Sequence, residues 1–195
     1  MTSSGIRWSR ASSEPTRNST RASSRTGRVN RKIRTNLHPP LKMVIRVNRK
    51  RGIFQFHSQI PGARVRREFL LACAHDAARR FRRRPGHLNF ILINDREMAR
   101  LHRTYMNIAG TTDVLTFDLS ENTKSPVEGD VYICLDQARR QAEYYRVPLY
   151  LEIARLAVHG VLHLAGWEDR TDVEKRRMRS LEDRTLEVVR KLHGR

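Results

Sequence analysis

The sequence predicts a mixed α/β fold: a single domain with a mixed sheet of about four strands and about five helices. Short β-branched segments are interleaved with segments whose apolar residues recur at helical spacing. One of these helical segments, residues 149–165, is apolar on nearly every side, and the chain contains no internal repeat. The length of 195 residues fits one domain, or one domain with an appendage.

The predicted elements follow from apolar patterning and end signals. The strands comprise residues 44–48, 87–94, 114–119 and 129–135, and the helices comprise residues 65–81, 95–105, 136–145, 149–165 and 172–192. Asp95 and Asp136 are placed to cap the second and third helices, whereas Pro148 and Gly166 bound the fourth. Because the fourth helix is apolar on most sides, we expect other elements to cover it in the middle of the domain.

A basic extension, residues 1–40, precedes the predicted domain at residues 41–195. It carries nine Lys and Arg against the single acid Glu14. Its apolar residues are too few to offset the entropy of ordering it, so we interpret it as disordered. Three interpretations stay open: a nonspecific phosphate-binding arm, an organelle transit peptide, and a wrongly assigned start with translation from Met43.

The charge balance favours RNA as a partner. The chain has 39 Lys and Arg against 20 Asp and Glu, a formal charge of +19. Basic clusters border the first predicted helix and lie on the fifth; they comprise Arg64, Arg66, Arg67, Arg79, Arg80, Arg82, Arg83, Arg84, Lys175, Arg176, Arg177 and Arg179. We favour RNA contact over the alternative that these charges serve solubility alone, and we expect no DNA specificity.

The cysteines and the hydropathy pattern indicate the compartment. Cys73 and Cys134 form no CxxC pair, which excludes a disulfide framework or a Cys-rich zinc module and fits a reducing compartment. No run approaches the roughly 18 to 20 apolar residues that cross a bilayer, so we expect no membrane partner. These features predict a cytoplasmic protein.

Two histidines on the fourth helix are candidate metal ligands. His159 and His163 stand four residues apart, which brings two imidazoles to one helix face. The alternative is two core histidines, each bonded to a carbonyl group, but burying two imidazoles is costly unless something satisfies both. After the turn at Gly166, Glu168 or Asp169 can supply a third ligand. Two imidazoles and a carboxylate suit zinc and also Fe(II) or another divalent metal.

The residue after the first histidine argues against a protease. In the HExxH helix of metalloproteases that position holds the general-base Glu, and here it holds Gly160. We expect this glycine to let backbone or substrate approach the ion closely.

Several segments, in order, resemble the YbeY family of single-domain endoribonucleases. The segment HGVLHLAGWED is similar to the family's HGxLHLxGYDH signature, LHRTYMNIAGTTDVLTF to its LNxxYRxxDxxTDVLSF stretch, and GDVYI to its GDIxI strand. Met178 and Glu182 fall where the family has Met and Glu after the metal loop, and Met43 falls where members usually begin. The resemblance covers about residues 43–190.

The resemblance implies a zincin-like domain and a single-strand endoribonuclease active in 16S rRNA 3′-end maturation, rRNA processing and ribosome quality control. It implies one ion, normally zinc, held by three histidines. Carried over to this chain, the ligands are His159, His163 and, in place of the third histidine, Asp169. The implied partners are rRNA and the small ribosomal subunit.

Three positions depart from the family pattern. Asp169 replaces a histidine, and its negative charge lowers the net charge of the ion. Met106 stands where the family has an Arg that suits a scissile phosphate, and Arg103, three residues earlier, is a candidate substitute. Ala109 stands where the family has Asp.

Two function hypotheses follow. In the first, the protein is a metal-dependent endoribonuclease whose general base the sequence does not identify; Glu168 and Arg103 are the candidates for catalytic roles beyond the metal ligands. In the second, it is a non-catalytic RNA-binding or ribosome-binding assembly factor with a structural ion. The oligomeric state and the exact RNA substrate do not follow from the sequence.

Overall fold

The fold was analysed in a computed structural model, which describes residues 52–193. Within this range the chain forms four strands and five helices, and three of the strands and all five helices correspond to predicted elements. In chain order they are β1 (Ile53–Ser58), α1 (Arg67–Ala78), β2 (Pro85–Ile93), α2 (Asp95–Met106), β3 (Val114–Asp118), β4 (Val127–Cys134), α3 (Leu135–Tyr144), α4 (Leu149–Leu164) and α5 (Asp172–His193). The predicted strand at 44–48 and the extension at 1–40 lie outside the described residues, and the sequence analysis did not predict β1.

The four strands form one mixed sheet in the order β1-β2-β4-β3. The strands β1, β2 and β4 are parallel, whereas β3 runs antiparallel to β4 and forms an edge. The central strands β2 and β4 are buried along most of their length, as strands covered on both faces are. The sheet therefore offers one face to each of two hydrophobic clusters.

The larger cluster packs α1, α4 and α5 against one face of the sheet, and a smaller cluster lies on the other face. The smaller cluster joins residues of β2, β3 and β4 to α2, with Met98 and Leu101 fully buried or nearly so. In the larger cluster α4 contacts α1, α3, α5, β3 and β4. The prediction that α4 lies in the middle of the domain is confirmed.

Gly160 faces the sheet, which corrects the role that the sequence suggested for it. A Cβ atom at this position would lie 2.5 Å from Cγ1 of Val131 and 3.0 Å from Oγ1 of Thr116. The missing side chain therefore lets α4 approach β4 and β3 closely. This glycine brings a helix onto a sheet rather than a substrate onto an ion.

The caps of α2 and α3 also differ from the prediction. Asn94, not Asp95, is the N-cap of α2, and its side chain accepts a hydrogen bond from the Glu97 backbone N–H at 2.9 Å. Asp136 does not cap α3, which begins after Cys134 with no side-chain cap. Its carboxylate instead accepts a hydrogen bond from the Asp95 backbone N–H at 2.9 Å. Asp95 and Asp136 lie at the starts of α2 and α3, as predicted, but neither side chain caps its own helix.

The length and hydropathy of the helices bear on whether one of them could span a membrane. Among residues 52–193, no single helix is long and apolar enough to cross a membrane; only the bent pair α3 and α4 meets length and composition criteria together.

Candidate metal centre

The structure brings three predicted side chains together: His159, His163 and Asp169. One ligand atom from each lies within 4.8 Å of the others. The two Nε2 atoms are 2.9 Å apart, and the Asp169 oxygens lie 3.8 Å from Nε2 of His159 and 3.9 Å from Nε2 of His163. We refer to these three residues as the His-His-Asp cluster.

The cluster is built by one helix and the turn that follows it. His159 and His163 lie one turn apart on α4, so their rings project from the same flank. Gly166 then adopts φ +89°, a conformation that other residues rarely take, and the Trp167 N–H donates to the Leu162 carbonyl at 3.0 Å. This reversal carries Asp169 back alongside the two rings.

The far end of the turn is fixed by the start of α5. The Thr171 hydroxyl accepts a hydrogen bond from the Glu174 backbone N–H at 3.2 Å, and the Glu174 carboxylate accepts one from the Thr171 N–H at 2.9 Å. This reciprocal pair is a capping box. The loop that carries Asp169 is therefore held at both ends, by the glycine turn and by the cap.

Each imidazole has its Nδ1 committed to an acceptor. Nδ1 of His159 lies 2.8 Å from Oε1 of Glu182, and Nδ1 of His163 lies 3.0 Å from the Trp167 carbonyl oxygen. Both acceptors require a proton on Nδ1, so in the neutral rings both Nε2 atoms carry lone pairs. Two lone pairs 2.9 Å apart repel unless a proton or a cation lies between them. The donor set therefore fits a divalent metal, with Nε2 of both rings and the Asp169 carboxylate as ligands.

A buried ionic network supports His159 from behind. Glu182, which is 7% exposed, also accepts a hydrogen bond from Nη1 of Arg155 at 2.9 Å. Nη2 of Arg155 donates to Asp183 at 2.6 Å, and its Nε lies 3.9 Å from the buried Glu152 carboxylate. Three carboxylates thus surround a single guanidinium. This excess of negative charge favours positive charge at His159.

The pKa values reflect that field. Burial alone would lower the pKa of His159, but the hydrogen bond and charge of Glu182 outweigh it, and the pKa lies above its ordinary value. Burial, followed by the charge of His159, lowers the pKa of His163. Burial would raise the pKa of Glu182, but the hydrogen bond from His159 and the charges of His159 and Arg155 hold it below its ordinary value. Glu182 is therefore an ionised acceptor.

The remaining predicted site residues, Glu168, Arg103 and Met106, are exposed. Glu168 is exposed and pairs with Arg170, with Oε2 3.4 Å from Nε. Arg103 and Met106 are both exposed near the end of α2. Of the two acids that the sequence offered as a third ligand, the structure brings Asp169 to the rings.

A second group of possible ligands, Asp95, Cys134 and Asp136, is already engaged in joining α2 to α3. Arg140 donates to both oxygens of Asp95, at 2.7 and 2.8 Å, and the Cys134 thiol donates to Asp95 at 3.1 Å. Burial, with the nearby Asp95, raises the pKa of Cys134 to about 11, so this sulfur stays protonated. We interpret this group as structural.

Glu182 matches the family pattern, but its role was not predicted from the sequence. A signal for that role was present. The buried residues of α5 include Met178, Glu182, Thr185, Leu186 and Val189, which follow helical spacing. A carboxylate within an otherwise mainly apolar stripe needs a buried partner, and His159 is that partner. Arg155 carries the same signal, because it stands within the apolar α4 segment and its charge needs partners, which are Glu182 and Asp183.

Comparisons with known proteins agree with this architecture. The sequence model of a family described as endoribonuclease YbeY matches residues 57–190. The endoribonuclease YbeY of Flavobacterium psychrophilum is 35% identical over 103 residues, which cover 53% of this chain and 72% of the relative. That of Cytophaga hutchinsonii is 36% identical over 101 residues, covering 52% and 70%.

A solved structure shows the same fold. The solution structure of TM1509 from Thermotoga maritima aligns with a TM-score of 0.51 and 23% sequence identity, covering 71% of this chain and 90% of the other. The match to the family model spans most of the domain that holds the His-His-Asp cluster, and several relatives share more than 30% of aligned residues. This chain belongs to the endoribonuclease YbeY family.

Proposed function

We propose that this chain is a metal-dependent endoribonuclease specific for single-stranded RNA, with one zinc ion held by His159, His163 and Asp169. It acts in rRNA processing, in the maturation of the 3′ end of 16S rRNA and in ribosome quality control. The observation that carries the metal assignment is the pair of Nε2 atoms 2.9 Å apart, each opposite an Nδ1 that is committed to an acceptor. Family membership supports the reaction class.

A divalent cation bound at this site would supply a Lewis acid that polarises a phosphodiester oxygen. The chain's own residues supply the rest. Glu182 and the Trp167 carbonyl hold both rings by their Nδ1 atoms, so the Nε2 lone pairs stay aimed at one point. Glu168 is the candidate proton acceptor, since it is exposed beside Asp169, and Arg103 is the candidate phosphate-binding group.

RNA is the proposed partner, bound as part of the small ribosomal subunit in the cytoplasm. Lys175, Arg176 and Arg177 are exposed on the first turns of α5, directly after the loop that carries Asp169. Phosphates that contact them would lie within a few residues of the cluster. The division of the chain into an extension at 1–40 and a hydrolase domain at 41–195 stays a prediction.

The alternative, a non-catalytic assembly factor with a structural ion, is not favoured. The relatives are named endoribonucleases. A structural ion is enclosed by protein ligands, whereas here the side chains of His163 and Asp169 are 27% and 33% exposed. The exposed side of the cluster leaves room for a substrate phosphate.

The test compares RNA cleavage and metal content in the full-length chain. We expect wild type purified without chelator to contain about one equivalent of zinc and to cleave single-stranded RNA faster than duplex RNA. His159→Ala is expected to lose most of the metal and to cleave RNA at least about 100-fold more slowly. The substitution removes one proposed ligand and leaves the buried Glu182 without its hydrogen-bond partner. His57→Ala is the matched control, since His57 is exposed on β1 and is expected to retain both properties.

Equal cleavage by wild type and His159→Ala at the same salt concentration would identify a contaminating nuclease and would favour the assembly factor. Cleavage products that end in a 2′,3′-cyclic phosphate would show that the neighbouring 2′-hydroxyl attacks, whereas a 3′-hydroxyl end would indicate attack by water.

A further inference from the structure

We propose that Asp169 makes the His-His-Asp cluster less selective for zinc over manganese than the same site would be with a third imidazole. The inference rests on the proposed function, because it takes the cluster to be the metal site. Beyond that function, the residue at position 169 determines how tightly the cluster binds Mn²⁺ relative to Zn²⁺.

The first support is the orientation of the carboxylate. Oδ2 of Asp169 lies 3.8 Å from Nε2 of His159, whereas Oδ1 lies 3.9 Å from Nε2 of His163. Both oxygens therefore face the space between the rings, and the three side chains present four donor atoms. A histidine at this position would present one nitrogen. Four protein donors plus solvent or substrate exceed the tetrahedral number that zinc prefers and suit an ion that accepts six ligands, such as Mn²⁺.

The second support is the chemistry of the donors. Carboxylate oxygens suit Mn²⁺, whereas imidazole nitrogens suit zinc. Among residues 52–193, the ion-pair partners of Asp169 are the two imidazoles, while the neighbouring cation Arg170 pairs with Glu168. The Asp169 carboxylate therefore faces the proposed ion and is not paired with the neighbouring Arg170.

The third support is the charge behind the rings. Glu182 is buried, and its carboxylate lies 2.8 Å from Nδ1 of His159, so a cation at the cluster would lie near a second carboxylate behind the His159 ring. Such a field attracts any divalent ion and does little to distinguish among them. Selectivity is therefore left to the donor types, and one of the three side chains is a donor that favours manganese as much as zinc.

The experiment measures the dissociation constants of Zn²⁺ alone and Mn²⁺ alone, by calorimetry, on the metal-free full-length chain. Manganese binding is checked independently by the loss of its free-ion electron paramagnetic resonance signal. The variants are Asp169→His, which installs an imidazole, and Asp169→Asn, which leaves one oxygen donor in place of two. We expect the ratio Kd(Mn)/Kd(Zn) to rise by about tenfold or more in Asp169→His and to rise in Asp169→Asn. Glu187→Gln is the control, because Glu187 is exposed on α5 and pairs with Lys191, and it is expected to leave the ratio unchanged.

The outcomes separate this inference from the proposed function. If wild type and both Asp169 variants bind zinc with ratios within about threefold of one another, the inference is overturned while the metal site stands. If wild type binds neither ion, or if His159→Ala binds both as tightly as wild type, the proposed metal site itself is wrong. Should Asp169→His fail to fold, Asp169→Asn alone decides, and an unchanged ratio there overturns the inference.

Discussion

At the scale of single residues, burying the Glu182 carboxylate costs free energy, and the packing of α5 does not require a charged residue there. Glu182 lies on the buried side of α5, one turn after Met178 and one turn before Leu186, where an apolar side chain would fit at lower cost. The Arg155 guanidinium and the His159 ring offset that cost by hydrogen-bonding both of its oxygens. The residue is therefore explained by what it does to His159: it holds the proton on Nδ1 and orients the ring.

Replacing Glu182 by Gln tests this role. The amide has the same shape but no charge, so it accepts weakly from His159 and leaves Arg155 with less compensation. We expect zinc affinity to fall by about 10-fold to 100-fold, the usual effect of losing a residue that supports a ligand. Isothermal calorimetry with zinc measures the affinity, and the far-ultraviolet circular dichroism spectrum shows whether the fold is kept.

Glu187→Gln provides the control, because Glu187 is exposed on the same helix and pairs with the exposed Lys191. Zinc affinity that stays within threefold of wild type in Glu182→Gln, with the fold intact, would mean that His159 does not need its carboxylate partner.

Residue spacing predicted the two histidines of the site because both lie on one helix. The spacing of His159 and His163 is a property of one helix, so periodicity alone brought them together. Residue types and spacing did not decide between Glu168 and Asp169, because that choice depends on the turn at Gly166; the family resemblance indicated Asp169. Arg155 reaches Glu182 and Asp183 on another helix, and contacts between distant segments leave no spacing signal.

At the scale of elements, α4 carries the imidazoles on one flank and packs into the core with the rest of its surface. Its position against the sheet is set where Gly160 meets Val131 on β4 and Thr116 on β3. The next residue toward the N-terminus is His159. A shift of α4 away from the sheet would therefore move a ligand as well as a core residue.

Gly160→Ala tests this coupling. An alanine inside a helix usually stabilises by up to about 1 kcal/mol relative to glycine. Here the new methyl group would overlap with Val131, so we expect a net loss of about 1–3 kcal/mol in the free energy of unfolding, together with weaker zinc binding. Urea denaturation and zinc calorimetry measure the two effects.

The double variant Gly160→Ala, Val131→Ala supplies space for the methyl group and is expected to recover part of both losses. A stabilised Gly160→Ala protein with unchanged zinc affinity would show that α4 is not held against the sheet at this point.

The elements themselves were predicted well where a long apolar or periodic segment defines them, and poorly where a few polar atoms do. The bounds of α4 and α5 agree with the sequence to within a residue or so. The caps of α2 and α3 were wrong because adjacent polar residues, such as Asn94 and Asp95, compete for the same donors. The β1 segment IFQFHS mixes aromatic, amide and imidazole side chains and lacks the β-branched run that marks the other strands.

At the scale of the whole molecule, the basic composition favours RNA binding, and its salt dependence is the measurable consequence. The exposed cluster Lys175, Arg176 and Arg177 continues directly from the loop of the proposed metal site. Each phosphate contact releases counterions, so affinity for a single strand falls as salt rises. We expect replacement of all three by Ser to reduce the slope of log K against log salt by about 2.

The measurement uses fluorescence anisotropy of a labelled single-stranded RNA, with His159→Ala as the background so that the RNA is not cleaved. Replacing the exposed residues Arg79, Arg82 and Arg84 by Ser removes the same charge elsewhere and serves as the control. Equal changes in slope for the two triple variants would show that net charge, rather than a path along α5, governs binding.

The mixed α/β class, the five helices and the strands β2, β3 and β4 were predictable because each of these elements is encoded locally. The order β1-β2-β4-β3 was not, since it depends on which strands pair across the domain. Local patterns do not specify how the elements are arranged in space. The family resemblance supplied that arrangement, because it assigns the segments to one known fold.

The outer edge of β3 has a consequence for self-association. Asp113 and Leu119 bond through their backbone to β4, so the backbone groups of Val114, Thr116 and Asp118 point outward. Exposed edges of this kind invite other chains to add a strand and to aggregate. Here the edge is only five residues long, the Asp113 side chain already accepts from the Val114 N–H at 2.9 Å, and the strand ends on a charged residue. An added strand would pair with few free backbone groups, so among residues 52–193 the short length and the charge of this edge limit strand addition.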